Sequence, residues 1–293
     1  MQVQVCPTNA PSTLGELVAP LAEEEFLQCL RERKLKILRA ANTAYAAWLG
    51  WDAFRRLIQR GEYSRGAGHI RVASESVDVA RRHWETDDRV DVEKLECYLA
   101  TGFGLHFNHI EPFVPPLSAL CDHIRSRLGE IANASLMITS GSDGLFRLHY
   151  DDPDGFMVQI EGTKRWQIFA PTVNHPMDAL PRGPRPKGAP MVDEILEPGD
   201  ILILPAGYWH HCQAGTGRSV HLAIAFTPPT GWHAVRALSE ELISEERFRR
   251  PLTRVGGPAE TAELQSQLKQ YLMQKIDQLD LDAFVAKWRK TAN

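Results

Sequence analysis

At 293 residues the chain has room for one large domain or for a core with helical appendages, and 43% hydrophobic against 24% charged residues is an ordinary globular balance. A formal charge of −4 leaves no electrostatic footprint for nucleic acid or an anionic membrane surface, and basic runs such as Arg31–Lys34 and Arg247–Arg250 are short enough to be solvated helix faces. Five scattered cysteines without a Cys-x-x-Cys pair argue against a disulfide framework or a structural zinc site; with no apolar signal core at the start and no apolar run of the roughly 18 residues a membrane helix needs, a cytoplasmic protein is expected.

In chain order, Thr13 to Gly61 reads as helical, with Leu14, Leu17, Leu21, Phe26, Leu30 and Leu35 near helical spacing and a second stripe of Trp48, Trp51, Phe54 and Leu57. Ile70–Val72 is a short strand candidate. A helix over 92–101 stops at Gly102 and another over 116–128 stops at Gly129, while Gly104–Ile110 between them alternates like a strand. Its histidines, His106 and His109, have no partner at ligand spacing and read as structural. Residues 1–94 are accordingly expected to form a helical region that packs on a core.

Strand signals dominate from there. Ser135–Ser140 ends in the turn cluster Gly141–Gly144; Leu145–Asp151 and Gly155–Glu161 follow, then a turn at Gly162 into Lys164–Phe169. Val192–Leu196, a turn at Glu197–Asp200, Ile201–Leu204 and a last strand at Ser219–Phe226 complete the set. Many short strands punctuated by Gly and Pro predict a mainly β, double-sheet jelly roll over 95–229, with the Pro-rich segment 171–190 as a loop over one mouth. From Thr230 helices return: Leu264, Leu268, Tyr271, Leu272, Ile276 and Leu279 form a stripe that needs a cover, and a homodimer through 230–293 is one way to supply it.

The chemistry is concentrated in His149, Asp151 and His210. Alternate residues of a strand share a face, so His149 and Asp151 project together while Tyr150 points away. A third ligand must come from a distant segment, and the run Leu204–His211 offers His210 or, on the opposite face, His211. Two imidazoles and one carboxylate can occupy one face of an octahedral iron(II) ion and leave positions for a co-substrate and O2. Such an ion can chelate a 2-oxo acid, whose decarboxylation with dioxygen generates an oxidant for C–H bonds. The far carboxylate of 2-oxoglutarate then needs a buried cation. Lys164 is the candidate, although Lys164 and Arg165 also read as charges at a hairpin end. Gln159 has the parity to point inward, and His221 alternates with the small Ala223 and Ala225, as either a site residue or an interior histidine. Trp166, Tyr208 and Trp209 read as core or rim aromatics.

At these residues the chain resembles the JmjC-type cupin oxygenases, and more closely their bacterial ribosomal-oxygenase-like branch. The similarity covers about 95–228 and rests on Leu99–Phe103, His149–Asp154, Val158–Trp166, Leu196–Ile201 and Pro205–His210. The resemblance implies a double-stranded β-helix, dependence on iron(II), 2-oxoglutarate and O2, hydroxylation of an amino-acid side chain in a protein or peptide, and dimerisation through C-terminal helices. It assigns His149, Asp151 and His210 to the metal and Lys164 to the co-substrate tail, and it sets Ser135 and His221 at co-substrate positions. There the sequence departs from the family pattern: Ser135 and Met137 replace Asn and Tyr, and His221 replaces Asn. The region after 230 is also too short for the family's dimerisation segment plus winged-helix domain. A ribosomal substrate therefore does not carry over from the resemblance, and a biosynthetic peptide fits equally. The same chemistry on a small metabolite or free amino acid, or a non-catalytic metal-binding module, stands as the alternative; demethylation lacks any sign of a methyl-lysine cage.

Overall fold

Edge-to-edge pairing of short, one-sided apolar segments builds the centre of the protein. The computed structural model describes residues 10–41, 43–59, 61, 69–87, 89–141, 145–254 and 256–291. Two compact units divide the chain, Met1–Arg127 with Ile131–Thr227 and Leu128–Glu130 with Pro228–Asn293.

Among the described residues the first unit carries helices α1 (Leu14–Val18), α2 (Glu23–Arg31), α3 (Thr43–Trp48), α4 (Trp51–Gln59), α5 (Val92–Ala100) and α6 (Pro115–Leu128). Its strands are β1 (Lys36–Leu38), β2 (His69–Ala73), β3 (Asp78–Val79), β4 (Glu85–Thr86), β5 (Arg89–Val90), β6 (Gly104–Asn108), β7 (Ile131–Ser140), β8 (Asp154–Glu161), β9 (Lys164–Phe169), β10 (Val192–Leu196), β11 (Ile201–Leu204), β12 (Trp209–Ala214) and β13 (Arg218–Thr227). Eight strands make one antiparallel sheet in the order β1-β11-β8-β13-β7-β6-β2-β3, and β10-β9-β12 make a second. This is the expected jelly roll with helical flanks. Met157, Trp166, Ile168, Leu196, Leu202, Leu204 and Ala223, drawn from both sheets, form its apolar interior. On the other side of the large sheet Phe26 of α2 packs on Phe156 (4.9 Å between ring centroids), and Phe54 of α4 packs edge-on against Phe107 at 4.7 Å.

The run Gln159–Trp166 shows how sequence sets geometry. Gln159 Nε2 donates to the carbonyls of Glu161 (2.9 Å) and Gly162 (3.1 Å) and to Ser219 Oγ (2.9 Å), which ties the β8–β9 turn to β13. Gly162 has φ +63, and a Cβ there would meet the Arg218 carbonyl oxygen at 2.1 Å, so only glycine fits. The turn delivers Lys164 to the interior with its side chain buried.

Three expectations need correction. The stretch read as wholly helical contains β1, because Leu35 and Ile37 pack against the apolar interior and the backbone there pairs with the edge of β11 (Ile37↔Leu202); tertiary pairing outweighs local pattern. Leu145–Asp151 is not a strand: within it only His149 makes a bridge, to His210, and beyond that bridge the partner segment turns at Gly207 (φ +84), whose N–H donates to the Asp151 carbonyl. Gln159 is committed to the turn rather than to the site. Of the turn cluster Gly141–Gly144, residues 142–144 lie outside the described residues, as does the Trp48 side chain.

The second unit contains α7 (Gly231–Leu242), α8 (Glu246–Arg249), α9 (Pro258–Asp277) and α10 (Leu281–Thr291). Leu264 is buried, and Tyr271 donates to Glu245 at 2.8 Å beneath the Arg247 guanidinium, whereas Met273, Ile276 and Leu281 are exposed. Among the described residues no helix is long and apolar enough to cross a membrane.

Asp200, buried in the β10–β11 turn, accepts from the backbone of Ala40 (2.8 Å) and Glu197 (3.0 Å) and from Arg39 (2.8 Å). Burial alone would raise its pKa; these donors outweigh that and hold it below the usual carboxylate value. A lowered folded pKa gives stability that is complete above the unfolded value near 4 and is lost as pH falls through the folded one. Asp200→Ala is expected to cost about 2–3 kcal/mol at pH 7 in urea unfolding, and progressively less as the pH falls below the unfolded value near 4.

Candidate metal centre

His149 and His210 meet as a hydrogen-bonded antiparallel pair. The His149 N–H donates to the His210 carbonyl at 3.2 Å and the His210 N–H to the His149 carbonyl at 2.7 Å, so the two side chains leave the same face. Their ring centroids are 4.3 Å apart. Asp151, two residues on, stays on that face because its carbonyl accepts from Gly207 N–H at 2.9 Å. Tyr150 turns away into a pocket where it packs edge-on against Trp209 at 4.9 Å, beneath the Arg182 guanidinium.

Each imidazole donates Nδ1–H to a backbone carbonyl, His149 to Arg147 at 2.7 Å and His210 to Tyr208 at 3.0 Å. That tautomer frees both Nε2 lone pairs, which lie 3.6 and 3.7 Å from the two oxygens of Asp151. One ligand atom from each residue falls within 4.8 Å of the others. Burial, and after it the neighbouring His210, pushes the pKa of His149 down to about 4, so the ring is neutral near pH 7 as a ligand must be. Two imidazole nitrogens and one carboxylate on one side fit a six-coordinate divalent ion of the iron(II) type, and backbone acceptors on Nδ1 are the outer support such ligands use.

Deeper in the barrel, Lys164 Nζ donates to His221 Nδ1 at 3.0 Å. Burial lowers the lysine pKa, and burial together with Lys164 depresses that of His221 well below the ordinary value, so His221 is neutral. Trp166 stands between the two regions, 5.7 Å from the His210 ring and 5.6 Å from the His221 ring, with its indole N–H buried and unpaired among the described residues. Ser135 lies on β7 opposite Ala223 and donates to Asn108 Oδ1 at 2.7 Å. The fold thus brings His149, Asp151 and His210 together at one level and Lys164 and His221 at another. His211 faces outward and bonds Glu75 at 2.8 Å, which removes it as the competing ligand. The 171–190 segment is pinned beside the site, Arg182 donating to the Tyr150 carbonyl at 2.7 Å and Trp209 to Thr172 at 2.8 Å.

The JmjC domain family matches residues 106–233. The chain is 27% identical over 250 residues to ribosomal oxygenase 1 of Bos taurus, covering 81% of this chain and 37% of that protein. It is 26% identical over 213 residues to the bifunctional lysine-specific demethylase and histidyl-hydroxylase NO66 of Drosophila pseudoobscura pseudoobscura, covering 71% of this chain and 22% of that one. The chain therefore spans less than half the length of these curated relatives. The structure of YcfD, a ribosomal oxygenase from Escherichia coli, in complex with cobalt and 2-oxoglutarate superposes with a TM-score of 0.56 at 17% identity, covering 86% of this chain and 67% of that one; at that identity the likeness shows the fold.

Within the matched region, sequence reasoning missed the contribution of β6. His106 and Asn108 share the inward face opposite Leu105 and Phe107, which are buried in the helical layer. The alternation of Gly104–Asn108 carried that signal, but which strands would flank β6 did not show in the sequence. Asp151→Ala removes the only anionic ligand and is expected to raise the manganese(II) dissociation constant by about a hundred-fold or more, whereas His211→Ala leaves it unchanged; calorimetric titration of the metal measures both.

Proposed function

We propose that this chain is an iron(II)- and 2-oxoglutarate-dependent oxygenase that hydroxylates an amino-acid side chain in a protein or peptide. The observation that carries the reading is the placement of a two-histidine, one-carboxylate face and a buried lysine in one barrel. Iron(II) held there, with 2-oxoglutarate and O2, supplies the oxidant for a C–H bond. His149, Asp151 and His210 hold the ion on one side. Lys164 receives the far carboxylate: a cation kept out of water gains most from an anionic partner, and its remaining N–H donors are free for it. His221 orients the lysine through Nδ1, and Ser135, with Asn108, offers a hydroxyl on the same wall. Leu196, Leu202 and Ile168 keep water from the co-substrate. The relatives' names, ribosomal oxygenase and histidyl-hydroxylase, support a polypeptide as the substrate class.

Release of succinate from 2-oxoglutarate by the iron(II)-loaded protein, lost in His149→Ala, Asp151→Ala and Lys164→Met, is the expected outcome, accompanied by 16-dalton additions in the proteome of cells expressing the wild type. Metal uptake without turnover in any extract would instead favour a binding module.

The exposed Trp232, Ile243, Met273, Ile276 and Leu281 support self-association through 230–293 in a cytoplasmic setting. Light scattering is expected to give a dimer mass at micromolar concentration, and Ile276→Glu to reduce it; a clean wild-type monomer contradicts the assignment.

A further inference from the structure

Across the inward face of the large sheet four residues stand in register: Arg71 on β2, His106 on β6, Met137 on β7 and His221 on β13. At one end His221 holds Lys164. Toward the other, Phe146 lies 5.8 Å from the His106 ring and 5.3 Å from the His149 ring, linking His106 to the metal face. His106 Nε2 is buried and has no hydrogen-bond partner among the described residues. Leaving such an atom unpaired costs about 1–3 kcal/mol, so a partner that arrives later is the economical explanation. Burial, and after it Arg71, pushes the His106 pKa down to about 4, which makes the ring neutral near pH 7, with one N–H and one acceptor. Phe146 thus joins His106 to the ligand face, and Met137 stands between His106 and the His221–Lys164 pair, the two ends that an oxo-acid reaching from the metal face to Lys164 would span.

We propose that His106 is a contact residue for the bound co-substrate, its imidazole hydrogen-bonding an oxygen of 2-oxoglutarate along the path from the metal face to Lys164. The inference rests on the co-substrate reading above and adds to it a residue outside the ligand set and outside the lysine anchor. Met137, next in the row, has no hydrogen-bonding hydrogen to offer, and the Ser135 hydroxyl on the same strand is already donated to Asn108, which leaves His106 as the donor of this row on that side.

Anaerobic calorimetry of the manganese(II)-loaded full chain with 2-oxoglutarate tests it. His106→Leu is expected to weaken 2-oxoglutarate by about ten-fold, the loss of one hydrogen bond to a charged group, with manganese(II) affinity unchanged. His106→Phe, which keeps the ring packed on Phe146, should lose the same amount and serves if the leucine variant does not fold. His106→Asn, which keeps a donor, should retain most of the affinity. Wild-type affinity in the Leu or Phe variant overturns the inference, as does an equal loss in Asn and Leu, which would mark a packing role. A wild-type protein that binds manganese(II) but no 2-oxoglutarate removes the co-substrate reading itself.

Discussion

A single pair of backbone hydrogen bonds, exchanged between His149 and His210, holds the rest of the site in place. It fixes two imidazoles on one face at one height, and the Gly207 N–H bond to the Asp151 carbonyl adds the carboxylate to that face. Without that exchange the 148–151 segment has no ladder to define which side chains point inward, since its neighbours make none. Everything chemical follows from a short stretch of irregular chain pinned at one residue to a regular strand. That arrangement suits a metal face: loops place ligands freely, and the strand behind them supplies rigidity.

The low-dielectric interior does the second half of the work. An apolar cluster drawn from both sheets includes Trp166, and burial is the largest influence that keeps His149 and His221 neutral and makes the buried Lys164 seek an anion. Among the described residues, four polar atoms on the barrel strands are buried without a hydrogen-bond partner: Trp166 Nε1, His106 Nε2, Gln159 Oε1 and Thr139 Oγ1. Trp166 lies beside the His210 and His221 rings, and His106 shares a row of the sheet with His221.

Much of this was legible in the residues. The strands Gly155–Glu161, Lys164–Phe169, Val192–Leu196, Ile201–Leu204 and Ser219–Phe226 and the Gly162 turn follow from alternation and turn chemistry, signals local to a few residues, whereas the role of Lys164 came from the family resemblance and β12 was not read as a strand. The choice of His210 over His211 needed the family resemblance first and the Glu75 contact afterwards, because parity alone names two faces and not which one is inside. What stayed hidden was set by pairing between distant segments. β1 looked like part of a helical stretch until the edge of β11 claimed it, and the row that joins His106 to His221 depends on the register of β7 and β13. Gln159 had the right parity for the site but its amide closes the β8–β9 turn, a demand visible only once the carbonyls of Glu161 and Gly162 are seen to converge.

X-ray absorption on the cobalt(II)-loaded protein tests the central claim most directly. The account predicts a six-coordinate nitrogen and oxygen shell with the multiple-scattering signature of two imidazoles, reduced to one in His149→Ala. A sulfur scatterer from Cys212, or a shell without imidazole, would contradict it.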